Sequence, residues 1–107
     1  MSEGNWFYVL ETAELADGEK KALVIDGQRI ALIKKGNELF AISNKCVHME
    51  CPLSKGELEG YIIKCPCHDW RFDIRSGEFL DARELKVDVY ELQVSDGKIY
   101  LKIKGEN

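Results

Sequence analysis

The sequence predicts an all-β protein, a small antiparallel sandwich or barrel, and three observations carry the prediction. Short runs rich in β-branched and aromatic residues recur along the 107-residue chain. Turn-forming pairs separate them, among them Asp26-Gly27, Gly36-Asn37 and Asp96-Gly97. The stretch with most helical promise, residues 11–19, is interrupted by Asp17-Gly18 and has room for one short helical turn.

Taken in order, residues 6–10 are aromatic, alternate loosely and read as a strand. Residues 22–26 and 29–34 are β-branched runs joined by Asp26-Gly27, a hairpin signal. Gly36-Asn37 then turns the chain into 38–43. Residues 44–60 have little strand character, whereas 61–64 and 70–73 do, and Arg75-Ser76-Gly77 reads as a turn. Residues 87–94 alternate in part, and Asp96-Gly97 leads into 98–104, where Ile99, Leu101 and Ile103 share one face. Lys34, Lys35, Lys98, Lys102 and Lys104 read as the solvated edge of strands, where charge discourages edge-to-edge pairing.

The length fits one domain over 1–107, and no repeat or linker divides it. A net charge of −4 argues against nucleic acid or an anionic membrane surface as partner. No apolar run approaches a membrane span. Residues 1–10 place no basic residue before their apolar stretch, unlike a signal peptide, so a cytoplasmic location is expected. In that compartment cysteines bind metal more often than they form structural disulfides.

All four cysteines and both histidines fall within 23 residues. The first group is Cys46-Val47-His48-Met49-Glu50-Cys51 and the second is Cys65-Pro66-Cys67-His68, with 16 residues between His48 and Cys65. Cys-x-His in one arm and Cys-x-x-His in the other put one thiolate and one imidazole on each of two loops, which can close around one metal centre. Loops on a rigid β scaffold are where such sites tend to sit.

This order and spacing resemble the Rieske iron–sulfur motif. Trp70-x-Phe72-Asp73 and Ser76-Gly77 resemble the family's strand and turn after the second ligand loop, and the likeness covers nearly the whole chain. The resemblance implies a β domain with an inserted cluster-binding subdomain of two loops, about 44–73. It implies one [2Fe–2S] cluster per chain, with Cys46 and Cys65 on the inner iron and His48 and His68 on an outer iron near the surface, where a partner docks. Neutral imidazoles in place of two thiolates ease reduction, and deprotonation of the ligand imidazoles implies a potential that depends on pH in the alkaline range. Met49, Leu53, Trp70 and Phe72 are expected around the cluster, as core residues that also shield it from water. The implied role is single-electron transfer without substrate chemistry of its own. A flavin-dependent reductase is the expected donor, and a terminal oxygenase or other oxidoreductase the acceptor.

Two departures point in opposite directions. Cys51 and Cys67 stand where Rieske proteins of the cytochrome bc type place a disulfide, a pair that oxygenase ferredoxins typically lack. A disulfide, two thiols or membership of an all-cysteine ligand set all remain open for them. Conversely, the bc-type serine and tyrosine whose hydroxyls raise the potential are replaced here by Trp70 and Phe72. A potential in the lower part of the Rieske range, roughly −150 to +300 mV, is therefore expected. Three other readings are a soluble member of a bc-like respiratory chain, a subunit resembling the small subunit of assimilatory nitrite reductase, and a zinc-stabilised binding module on a Cys₂His₂ site. The intact ligand set argues against the second, and the mixed Cys-x-His arm is unusual for zinc. Asp69, Arg71 and Asp73 read as solvated surface charges.

Overall fold

The computed structural model describes residues 5–46, 51–67 and 69–103. Among them the chain runs through β1 (Asn5–Glu11), β2 (Lys20–Ile25), β3 (Gln28–Lys35), β4 (Glu38–Ser43), β5 (Glu57–Glu59), β6 (Ile62–Lys64), β7 (Arg71–Asp73), β8 (Glu78–Phe79), β9 (Ala82–Lys86), β10 (Leu92–Ser95) and β11 (Lys98–Ile103). Single 3₁₀ turns lie at Thr12–Glu14 and Leu53–Lys55. The strands form three antiparallel sheets: β1-β11-β10, β2-β3-β4 and β5-β6-β7-β8-β9. No helix among the described residues is long and apolar enough to cross a membrane.

The position of β3 follows from its side chains. Ile30, Ala31, Leu32 and Ile33 form an unbroken apolar run, where a strand with one wet face would alternate. Because successive side chains leave opposite faces, Ile30 and Leu32 enter one core with Ile99, Leu101 and Ile103 of β11. Ala31 and Ile33 enter a second core with Ile63, Phe72 and Phe79. The β2-β3-β4 sheet thus contributes to two hydrophobic cores, and the second of them lies under the cysteine loops.

Three expectations need correction. The segment 87–94 is not one strand: Val89 makes an isolated bridge to Ile42, and only Leu92–Ser95 pairs with β11. The Ser43 N–H donates to the Asp88 carbonyl and the Tyr90 N–H to the Ala41 carbonyl, so the chain leaves one sheet's margin to join another. The lysines at 34, 35, 98 and 102 do not mark sheet edges, because β3 and β11 are the central strands of their sheets; Lys104 lies outside the described residues. Asp73 is not a solvated charge: its side chain is 14% exposed and accepts two hydrogen bonds from the Arg75 guanidinium at 3.0 and 2.9 Å. Those hydrogen bonds hold the Asp73 carboxyl below the usual carboxylate range.

An aromatic contact ties the middle sheet to the five-stranded one. Tyr61, just before β6, donates its hydroxyl to Glu38 at 2.7 Å and meets Phe40 edge-on at 5.8 Å. Arg75 lies over its ring at 4.4 Å. The hydrogen bond to Glu38 is the main cause that raises the Tyr61 phenol above its ordinary value.

Candidate metal centre

The first cysteine loop is closed at its base. The Asn44 N–H donates to the Arg29 carbonyl at 2.9 Å, anchoring the loop to β3. Across the loop, the Ser54 N–H donates to Asn44 Oδ1 at 2.7 Å, and the Cys46 N–H donates to the Cys51 carbonyl at 3.1 Å. Asn44 is buried, and so is Leu53 at the start of the 3₁₀ turn. The second loop is closed by the Cys65 N–H to the Trp70 carbonyl at 2.7 Å and the Asp69 N–H to the Cys65 carbonyl at 3.1 Å. Asp69 turns this loop with φ +62°, a left-handed conformation that Asp tolerates better than most residues.

The two loops are held together in three ways. Cys46 and Cys65 are both buried, carry no disulfide and share the hydrophobic core that contains Leu53, Ile63 and Phe72. Cys51 and Cys67 are joined by a disulfide, with Cα atoms 6.4 Å apart. Gly56 then lets the chain pass directly against the Lys64 backbone, where any Cβ would collide with the Lys64 carbonyl. Beneath the second loop, Trp70 stacks on Phe79, with centroids 4.1 Å apart and planes 6° from parallel, and Phe72 lies 5.5 Å from Phe79.

The structure therefore brings Cys46, Cys65, Leu53, Trp70 and Phe72 to one region. His48, His68 and Met49 lie outside the described residues. It also gathers the sulfurs of Cys51, Cys65 and Cys67 within 4.8 Å of one another. Two of these three sulfurs are bonded to each other, so they do not form a cysteine ligand set. Sequence reasoning missed Asn44, Gly56 and Phe79. Their signals were an Asn two residues before Cys46, a Gly nine before Cys65 and a Phe nine after Trp70, none of which is distinctive alone.

The Rieske [2Fe-2S] domain family matches residues 5–96. The chain belongs to this family. It is 30% identical over 101 residues to the ferredoxin component of the naphthalene 1,2-dioxygenase/salicylate 5-hydroxylase systems of Ralstonia sp, covering 94% of this chain and 97% of that one. It is similar to the solved ferredoxin of carbazole 1,9a-dioxygenase from Nocardioides aromaticivorans IC177, with a TM-score of 0.83, 31% identity, and 92% and 99% of the two chains covered. A chain in the solved complex of reduced oxygenase and oxidised ferredoxin in carbazole 1,9a-dioxygenase matches with a TM-score of 0.85, 25% identity and coverage of 95% and 97%.

Membership in this Rieske family implies one [2Fe–2S] cluster per chain. The donor chemistry fits. The disulfide leaves two thiols, both buried in the core that the two loops share, and a two-iron cluster with four protein ligands then needs two more donors. The chain has two histidines, one on each loop.

Proposed function

We propose that this chain is a one-electron carrier whose cluster is held by Cys46, His48, Cys65 and His68, the cysteines on one iron and the histidines on the other. The observation that carries the reading is the pair of buried thiols outside the disulfide, one at the root of each loop. When bound, the cluster supplies a reversible one-electron couple. The chain's own contribution is positional and dielectric. Backbone hydrogen bonds close each loop, the Cys51–Cys67 disulfide ties the loops together, and Leu53, Trp70 and Phe72 keep water from the buried side. Trp70 and Phe72 offer no hydroxyl to the cluster sulfurs, which supports a potential in the lower part of the Rieske range.

The electron donor in this reading is a flavin-dependent reductase, and the acceptor is a terminal oxygenase or another oxidoreductase, in the cytoplasm. Similarity to ferredoxin components of dioxygenase systems over nearly the full length of both chains, one of them solved in complex with its oxygenase, supports the oxygenase as acceptor. The test is stopped-flow mixing of the reduced protein with an oxidised Rieske oxygenase. Reoxidation of the visible band with one electron delivered per chain is the expected result; a protein that reduces no oxygenase refutes it. The disulfide favours a second reading, a soluble component of a bc-like chain, and a potential near the top of the Rieske range would select that reading.

A further inference from the structure

Three of the four cysteine sulfurs form a compact group, of which electron transfer calls only on Cys65. The Cys65 sulfur lies within 4.8 Å of both sulfurs of the Cys51–Cys67 disulfide. The members of the group differ in burial: Cys65 is fully buried, Cys51 is partly buried and Cys67 is exposed. A thiol held beside a disulfide exchanges with it intramolecularly, at a rate set by proximity and by how well the leaving sulfur is stabilised.

We propose that, whenever the cluster is out, Cys65 exchanges with this disulfide to give a Cys51–Cys65 bridge and a solvent-facing Cys67 thiol. The Cys65 thiolate attacks the Cys51 sulfur, the Cys51–Cys67 bond breaks and the Cys51–Cys65 bond forms. Cys67 leaves as a thiolate and takes up the proton that Cys65 lost. One disulfide and two thiols are present before and after, so no oxidant or reductant enters. Exposure selects the direction, because the departing Cys67 thiolate is stabilised by water while the bridge takes the buried position. The alternative attack on Cys67 would close a Cys65–Cys67 ring across Pro66 alone and would expel a partly buried thiolate. The consequence is protective: a ligand thiol is stored as a disulfide, beyond the reach of oxidants, and cluster insertion draws it back to Cys65. The proposal rests on Cys65 being a cluster ligand.

The test is disulfide mapping of the full-length protein, before and after anaerobic removal of iron with a chelator. Thiols are trapped with N-ethylmaleimide in mild acid, and bridges are read from unreduced peptides by mass spectrometry. The expected result is labelling of Cys67 at background in the holoprotein and in most molecules after iron removal, with a Cys51–Cys65 peptide appearing in step. Label confined to Cys46 and Cys65 overturns the proposal. So does label on all four cysteines, or a statistical mixture of every bridge as an unfolded chain would give. The electron paramagnetic resonance spectrum of the same holoprotein reports the ligand set separately, so a failed exchange is distinguishable from a wrong assignment of Cys65.

Discussion

Replacing Gly56 by alanine adds one methyl group, and the structure says what it meets. The new Cβ would collide with the Lys64 carbonyl oxygen and lie 2.9 Å from the Lys64 carbonyl carbon and 3.3 Å from the Leu53 carbonyl oxygen. Two carbons are comfortable at about 3.5–4.0 Å, and the obstacle is backbone, so either the 3₁₀ turn or the end of β6 has to retreat. Gly56 has φ −82°, so alanine costs nothing in local conformation and gains roughly 0.4–1 kcal/mol from a stiffer unfolded chain. Overpacking costs about 1–3 kcal/mol in general, and a direct collision with backbone belongs at the upper end, about 3 kcal/mol, which leaves a net loss of about 2 kcal/mol. For a domain of this size that is a fall of about 10 °C in melting temperature. Because Lys64 directly precedes Cys65, the displacement also separates the two loops, so the cluster should bleach several-fold faster in a chelator challenge followed in the visible band. Gly60→Ala is the control. Gly60 has φ +61° and nothing near its missing Cβ, so alanine there costs about 1–2 kcal/mol of backbone strain without pushing on Cys65. Wild-type melting and bleaching in Gly56→Ala, or equal bleaching in the two variants, refutes the reasoning.

Other outcomes follow from single contacts. Asn44→Ala removes the acceptor of the Ser54 N–H and should cost about 1–3 kcal/mol in urea unfolding, with faster cluster loss. Phe79→Ala removes the ring stacked on Trp70 and should cost about 3 kcal/mol, with increased tryptophan fluorescence quenching by iodide as water reaches that face. Asp73→Asn tests the Arg75 pair through pH. Since the folded carboxyl is held below its unfolded value, the pair stabilises above about pH 4 and its contribution fades as pH falls through the folded value. The gap between wild-type and variant urea midpoints should therefore be widest near neutral pH and close on acidification; a gap independent of pH contradicts it.

Much of the scaffold was legible because its signals are local. Asp26 and Gly27 take φ +53° and +78°, the pair of positive values that a two-residue hairpin turn demands, and the strands on either side follow from it. Ile99, Leu101 and Ile103 alternate in the sequence and share one buried face in the fold. What escaped depends on neighbours. β5, β8 and β9 are short, and β9 consists mostly of exposed residues, so their pairing partners rather than their own composition make them strands. Residues 87–94 look like one strand because their alternation carries no mark of the change of sheet. At the site, the spacing of Cys46, His48, Cys65 and His68 was readable as a motif. The Cys51–Cys67 bridge was legible only through the resemblance, which places a disulfide at these two positions, because 16 positions separate them and only the folded loops bring them together. Gly56 and Asn44 act through contacts with Lys64 and Ser54 that no linear pattern announces.

The central claim is mixed cysteine–histidine ligation by Cys46, His48, Cys65 and His68, and the most direct measurement of it is the low-temperature electron paramagnetic resonance spectrum of the purified protein before and after dithionite. The account predicts silence before reduction and, after it, a rhombic signal whose average g value lies clearly below that of an all-cysteine [2Fe–2S] centre. A signal of the all-cysteine type, or a colourless sample that contains zinc and gives no signal, would contradict it.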